Sequence, residues 1–370
     1  MTMATAVSAC FVRAGRVGGA EHALYNLLDG LRAVTTVADP WSVVTAEPLR
    51  LGFDLAPLLT RPVHVPGLRN RVAIETLALP ALRGIDRWLL PNYYTPYGLR
   101  GRVVTVIHDA QHEHFPENFP ARKRAWLRAA HRYTMRRADV VVAISDYVAD
   151  DLIARHGDQY VGKIRVIPNA VSFDRLEPGA LPAAVPRDRE IVLCVSGGYR
   201  HKNLETLVRA FVDVAAARTT AQLVIVGQLP DQLLGARPGA GVGELVRELG
   251  LSNRVTVLGY VTDAELGALY RAAAVLAMPS LFEGFGLPVV EALGLGVPVV
   301  STRAGSLTDV SLGLARYIDD PMSAGEMAAA LIGVLVEGGQ AKPSATDVER
   351  VRARYEPIAV ADLFRSAVVG

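Results

Sequence analysis

The chain has 370 residues, 51% of them hydrophobic and 21% charged, which excludes a disordered or fibrous protein and suits roughly two domains at ~150 residues each. Lys plus Arg (39) nearly balances Asp plus Glu (37), so a formal charge of +2 gives no global reason to expect a nucleic-acid or polyanion binder. Two cysteines, Cys10 and Cys194, cannot staple a chain of this length. Both are expected as small buried residues in a reducing compartment. No Lys or Arg precedes Arg13, and no uncharged apolar run approaches the ~18 residues of a membrane span. The expectation is a cytoplasmic, two-domain protein.

Short β-branched runs alternate with Ala/Leu/Arg stretches of helical period, the pattern of an α/β protein with parallel sheets. In chain order the strands are predicted at 4–12, 41–46, 87–91, 103–108 and 140–145, with helices at 20–33 and 121–138. Residues 47–90 are rich in Leu, Pro and Arg and poor in readable strands. Pro168, Pro178, Pro182 and Pro186 mark a connection over 166–190. A second series then runs through strands 190–196, 222–227, 254–259, 274–280 and 297–302, with helices near 203–217, 262–273, 287–295 and 323–337. Pro357 splits the final helical stretch. The domains are placed at 1–170 and 171–357, with a last helix over about 358–370 crossing back to the first.

The segment 278–300 is the most informative. A strand ends at Pro279, a loop carries Glu283, and Gly284, Phe285 and Gly286 lead into a helix with Pro288 in its first turn. A helix opening after such a loop presents free N–H groups and a positive dipole end, so Gly286 and Leu287 can donate to a phosphate. Glu291 follows one turn later. A carboxylate beside a phosphate pocket repels its ligand unless it holds something else, and vicinal sugar hydroxyls are suitable donors. The combination points to a nucleotide-sugar diphosphate, against the plainer reading of a charged first turn and a solvated loop.

Counter-charge comes from 196–203, where a strand passes through Gly197 and Gly198 into Tyr199, Arg200, His201 and Lys202. Arg200 and Lys202 can neutralise a diphosphate, and Asn203 is placed as N-cap of the next helix. In the first domain, Gly18 and Gly19 enter a helix, and the strand 103–108 delivers His108 and Asp109 to its carboxyl end, both segments facing the expected crevice. His108 can donate to, or exchange a proton with, a bound hydroxyl. His108, His112 and His114 do not have metal-site spacing, and no metal is expected. Arg124, Arg128, Arg132 and Arg136 form one stripe of the helix over 121–137. Solvation is its default; peripheral contact with an anionic membrane at the inner face is the alternative.

Glu283 and Glu291 in EGFGLPVVEA, Arg200 and Lys202 in GGYRHKN, VIPNAV (166–171) and GGAE (18–21) together resemble family 4 glycosyltransferases of the GT-B architecture. The IHD of 107–109 with FPENFP (115–120) is most similar to a bacterial mannosyltransferase-like subgroup of polysaccharide assembly. The resemblance implies two Rossmann-like domains with parallel sheets facing across a crevice, the first holding the acceptor and the second the donor, and transfer with retention. It implies Glu283 on sugar hydroxyls, Glu291 on the ribose, and Arg200 and Lys202 on the diphosphate, with Gly198 and 284–287 around it. Gly259, Tyr260 and Val261 would meet the base, and Gly19 and His108 the transferred sugar. By the same resemblance the donor would be a GDP- or UDP-sugar and the acceptor a hydroxyl of a glycan, lipid-linked or small natural-product molecule. No tightly bound cofactor, metal or nucleic acid is implied. Where relatives often carry a Pro-Glu, this chain has Thr308-Asp309 within AGSLTDV (304–310). A sugar-nucleotide epimerase, a phosphorylase and a non-enzymatic sugar-binding protein are the competing readings.

Overall fold

The computed structural model describes residues 4–12, 19–49, 51–63, 70–229, 234–237 and 240–370. The chain divides into two compact units, one of residues 1–171 with 354–370, the other of residues 172–353.

In the first unit, β1 (Thr5–Ser8), β2 (Trp41–Thr45), β3 (Leu59–Pro62), β4 (Arg87–Leu90), β5 (Arg102–Ile107), β6 (Val140–Ala143) and β7 (Ile164–Val166) form one sheet in the order β3-β2-β1-β4-β5-β6-β7. Every pairing in it is parallel. Its central strands are buried on both faces, which is why they read as unbroken apolar runs. Helices α1 (Gly19–Val34), α2 (Arg71–Ala78), α3 (Gln111–His114), α4 (Ala121–Arg137) and α5 (Asp146–His156) join these strands. The sequence reading lacked β3, β7, α2 and α5. The edge strands β3 and β7 are short and largely solvent-facing, so hydropathy does not announce them.

The second unit repeats the plan with β8 (Glu190–Val195), β9 (Ala221–Val226), β12 (Val255–Leu258), β13 (Ala273–Met278), β14 (Val299–Ser301) and β15 (Arg316–Tyr317), ordered β12-β9-β8-β13-β14-β15 and all parallel. A small hairpin of β10 (Leu234–Arg237) and β11 (Ala240–Gly241) stands apart. Its helices are α6 (Leu204–Ala217), α7 (Val242–Glu248), α8 (Asp263–Ala272), α9 (Leu287–Gly294), α10 (Leu307–Val310) and α11 (Ala324–Glu337). The core gathers Leu207, Phe211, Leu223, Ile225, Val275 and Leu331.

The chain closes with α12 (Ala345–Tyr355) and α13 (Pro357–Val369), separated at Glu356, where Pro357 opens the second helix. Val360, Ala361 and Phe364 are buried as α13 packs on α1, β4 and β5 of the first unit. The approach to α1 is close enough that a Cβ at Gly30 would lie 2.0 Å from the carbonyl oxygen of Pro357. Cys10 and Cys194 are buried as expected, and burial pushes both thiols up to about 12.

Candidate functional site

In the second unit the chain adds strands outward from β8 through β9 to β12, then returns to add β13, β14 and β15 on the other side. The reversal lies between β8 and β13, and in open α/β sheets ligands bind outside the carboxyl ends of strands at such a point. The segments leaving these two strands are the basic turn 196–203 and the Glu283 loop, so topology alone places them side by side.

Several bonds lock the two segments together. The Leu281 N–H donates to the His201 carbonyl at 2.7 Å. Asn203 is left-handed at φ 55°, and its amide donates to the carbonyls of Pro279 at 3.1 Å and Pro321 at 2.7 Å. This corrects the capping role: the Asn203 side chain caps no helix N–H, and its oxygen instead accepts from the Thr206 hydroxyl at 2.7 Å. With its side chain spent on tying β8 to β13, Asn203 is a strut of the site.

Glu283 is buried, and one of its oxygens accepts from Lys202 Nζ at 2.7 Å and from the Ser280 hydroxyl at 2.7 Å. Arg200 is exposed, with no ion-pair partner among the described residues, and Tyr199 stacks on His201 at 5.6 Å. Burial, with Lys202 beside it, lowers His201 to about 4, so the imidazole is neutral at pH 7. The cations of the turn are therefore Arg200 and Lys202.

Below Glu283 the chain leaving β14 acts as a brace. Thr302 donates to the Ser280 carbonyl at 2.6 Å, and Ser306 donates from its N–H to the Glu283 carbonyl at 3.0 Å and from its hydroxyl to Phe285 at 2.8 Å. Gly305 has φ 62°, and a Cβ there would stand 2.2 Å from the Glu283 carbonyl oxygen. The departure noted at 304–310 thus lies beside the candidate loop, with Thr308 and Asp309 in α10. Gly305→Ala is expected to push the Glu283 loop out of place and cost about 1–3 kcal/mol of stability. Urea denaturation measures it; an unchanged midpoint would show that the brace yields freely.

Gly286 stands at φ 93° ahead of α9, with Pro288 in the first turn. The N–H groups of Gly286 and Leu287 have no acceptor among the described residues. Glu291, one turn in, is buried at 3% exposure. One of its oxygens accepts from the Tyr270 hydroxyl at 2.7 Å, the other from Arg175, which also reaches Asp263 at 2.6 Å. Burial with the adjacent Glu291 charge raises the Tyr270 hydroxyl well above its usual range, so it stays a donor. A carboxylate accepts about four hydrogen bonds, so each oxygen of Glu291 keeps one lone pair for a ligand. Sequence reading missed Arg175, Tyr270 and Asp263. Arg175 lies in the proline-rich connection, where only a charged residue amid apolar neighbours could have flagged it. Gly198 donates to the Gln228 carbonyl at 3.1 Å, while Gly259 and the exposed Tyr260, followed by Val261, leave β12 on the far side of β9.

In the first unit, Gly18 lies outside the described residues, and Gly19 opens α1. His108 leaves β5 buried, its Nε2 3.0 Å from the Pro91 carbonyl. A carbonyl only accepts, so Nε2 carries the proton and Nδ1 is the acceptor; burial lowers the pKa and keeps the ring neutral. Of the two roles read from sequence, donating to a bound hydroxyl or exchanging a proton with it, this tautomer leaves Nδ1 of the neutral ring as the atom able to accept from a hydroxyl. Asp109 accepts from Tyr93 at 3.1 Å and from the Gln111 N–H at 2.9 Å, which holds the α3 turn. His112 and His114 turn to different partners, Glu113 at 3.6 Å and Asp151 at 3.1 Å respectively. No helix among the described residues is long and apolar enough to cross a membrane.

Two parallel α/β sheets, one of them bringing two cations, a helix N-terminus and two buried glutamates together at its switch point, define a two-domain α/β protein with a candidate anion-binding site. Residues 17–175 match the model of glycosyltransferase family 4, and residues 182–343 that of the glycosyl transferases group 1. The chain belongs to the family 4 glycosyltransferases of GT-B architecture. It is 28% identical over 322 residues to a D-inositol 3-phosphate glycosyltransferase of Corynebacterium jeikeium, covering 80% of this chain and 71% of that one. An O-antigen chain mannosyltransferase B of Escherichia coli is 29% identical over 241 residues, 62% of this chain and 60% of its own. Among solved structures, Anabaena HepE in complex with UDP and glucose superposes with a TM-score of 0.72 at 20% identity, covering 99% of both chains. Sucrose-phosphate synthase of Thermosynechococcus elongatus gives 0.73 at 20% identity over 98% of both.

Proposed function

We propose that this glycosyltransferase moves a hexose, mannose or a close relative, from a GDP- or UDP-sugar to an acceptor hydroxyl with retention of anomeric configuration. The observation that carries the reading is the pairing of Lys202 with Glu283 at 2.7 Å beside the open N–H groups of Gly286 and Leu287. Arg200, Lys202 and the α9 N-terminus take the charge that grows on the leaving diphosphate. Glu283 holds sugar hydroxyls and Glu291 the ribose, with Gly259, Tyr260 and Val261 at the base. The second unit binds the donor and the first the acceptor, with His108 Nδ1 accepting from a hydroxyl of the transferred sugar. The departing phosphate deprotonates the acceptor on the same face, so the step needs no protein nucleophile.

The Escherichia coli relative favours mannose by its name, and the UDP complex of Anabaena HepE keeps uridine nucleotides in view. A thermal-shift series with GDP, UDP, ADP and dTDP separates them. One nucleotide is expected to stabilise the protein, by about 2.7 kcal/mol at a hundredfold excess over Kd. Absence of stabilisation by all four would overturn the donor site, and an inverted product anomer by NMR would overturn retention.

A further inference from the structure

A cavity of about 250 Å3 lies in the first unit among α3, α4 and α5, outside the proposed donor site and lined in part by the arginine stripe of α4. From α3 come His112 and Glu113; α4 contributes Arg128, His131 and Arg132; Arg155 and His156 end α5. Its one acid is already engaged, because Arg128 grips both Glu113 oxygens at 2.7 and 2.6 Å. Arg155 shares Asp151 at 2.9 Å. Arg132 is exposed and has no ion pair among the described residues.

At the back of the cavity His131 is only 2% exposed, with ring centroids 4.9 Å from His112 and 6.5 Å from His156. Its Nε2 is buried with no hydrogen-bond partner among the described residues. An orphaned buried polar atom costs free energy until a partner arrives. Three imidazoles could attract a cation, but three guanidiniums in the same wall repel one. The set suits an anion that takes bonds from Arg132 and His131, and the volume exceeds what a bare oxyanion fills.

We propose that this cavity binds a phosphate monoester, with Arg132 pairing the phosphoryl oxygens and His131 donating to them. The bound dianion favours protonated imidazole in His112, His131 and His156, so binding takes up protons and tightens as pH falls. The free cavity starts from neutral histidines: burial first, then His112 and His156, hold His131 at about 3. Asp109, Glu113 and Asp151 work in the same direction as the ligand, and Arg128, Arg132 and Arg155 against it.

Sulfate, dianionic across pH 5–8, serves as the first probe because any pH dependence then belongs to the protein. In full-length protein carrying ε1-labelled histidine, the signals of His112, His131 and His156 are expected to shift along one binding curve. Affinity should be about tenfold tighter at pH 6 than at pH 8, and Arg132→Ala should weaken it about tenfold or more without moving the melting temperature. Unmoved histidine signals, or curves indifferent to both pH and Arg132→Ala, would overturn the site. Glycerol 3-phosphate and vesicles of phosphatidic acid against phosphatidylcholine separate the sources. Binding of the soluble ester alone assigns a free metabolite, and Arg132-dependent sedimentation with phosphatidic acid a lipid headgroup. If neither binds more tightly than sulfate, the monoester assignment is wrong.

Discussion

Glu291→Ala is expected to lower folding stability by about 3 kcal/mol and to raise the KM for the donor about 10–100-fold. The stability loss follows from what remains behind. Arg175 is largely buried and its Nε already lacks a partner, so without Glu291 it relies on Asp263 alone, while the buried Tyr270 hydroxyl loses its acceptor. The kinetic loss follows from the two free lone pairs that ribose hydroxyls would occupy. Glu291→Gln separates the two effects: its carbonyl still accepts from Tyr270, but its amide faces Arg175 donor to donor. Urea denaturation and steady-state kinetics on both variants measure them. An unchanged KM in the folded variants would remove Glu291 from the donor site and leave it a structural counter-ion.

Much of this site was legible in the sequence because the chemistry is concentrated in two contiguous segments. EGFGLPVVEA and GGYRHKN each follow a buried strand, and a parallel sheet delivers its strand ends to one edge. The partners that tune those residues come from elsewhere. Arg175 reaches Glu291 across 116 positions, and Ser306 reaches the Glu283 carbonyl across 23. Such pairings depend on the fold, and no local periodicity encodes them. The fold shows the same division. Central strands such as β8 and β9 are apolar on both faces and stood out, whereas β3, with sequence LTRP, owes its existence to pairing with β2. The α5 helix had a signal that went unused: Ser145 accepts from the Val148 N–H as an N-cap at 3.2 Å. The tautomer of His108 could not be read locally either, since it is set by the Pro91 carbonyl 17 positions away.

Arg200→Ala and Lys202→Ala are expected to part company in stability and agree in turnover. On the proposed donor reading each would remove a cation from the leaving diphosphate, which should lower kcat about 10²–10³-fold. Lys202 also neutralises the buried Glu283 in the free protein, so its loss leaves that carboxylate with the Ser280 hydroxyl and lowers the melting temperature. Arg200 points to solvent, and its removal should leave melting unchanged. Paired kinetics and melting curves on the two variants make the comparison. A fully active Arg200→Ala would take the guanidinium off the reaction, and a Lys202→Ala that loses stability without losing turnover would make the lysine a counter-ion only.

The first unit draws its last helix from the far end of the chain, since α13 covers α1, β4 and β5 after the whole second unit has been threaded. On the ribosome this reverses the usual order. The second unit is continuous and can complete its sheet as soon as it emerges, while the unit made first waits with the Gly30 side of α1 uncovered. At ~5–20 residues per second that wait lasts on the order of 10–40 s. Nascent chains stalled before Pro357 should therefore carry an apolar surface that chaperones recognise, and the last thirteen helical residues act as the latch that ends their hold.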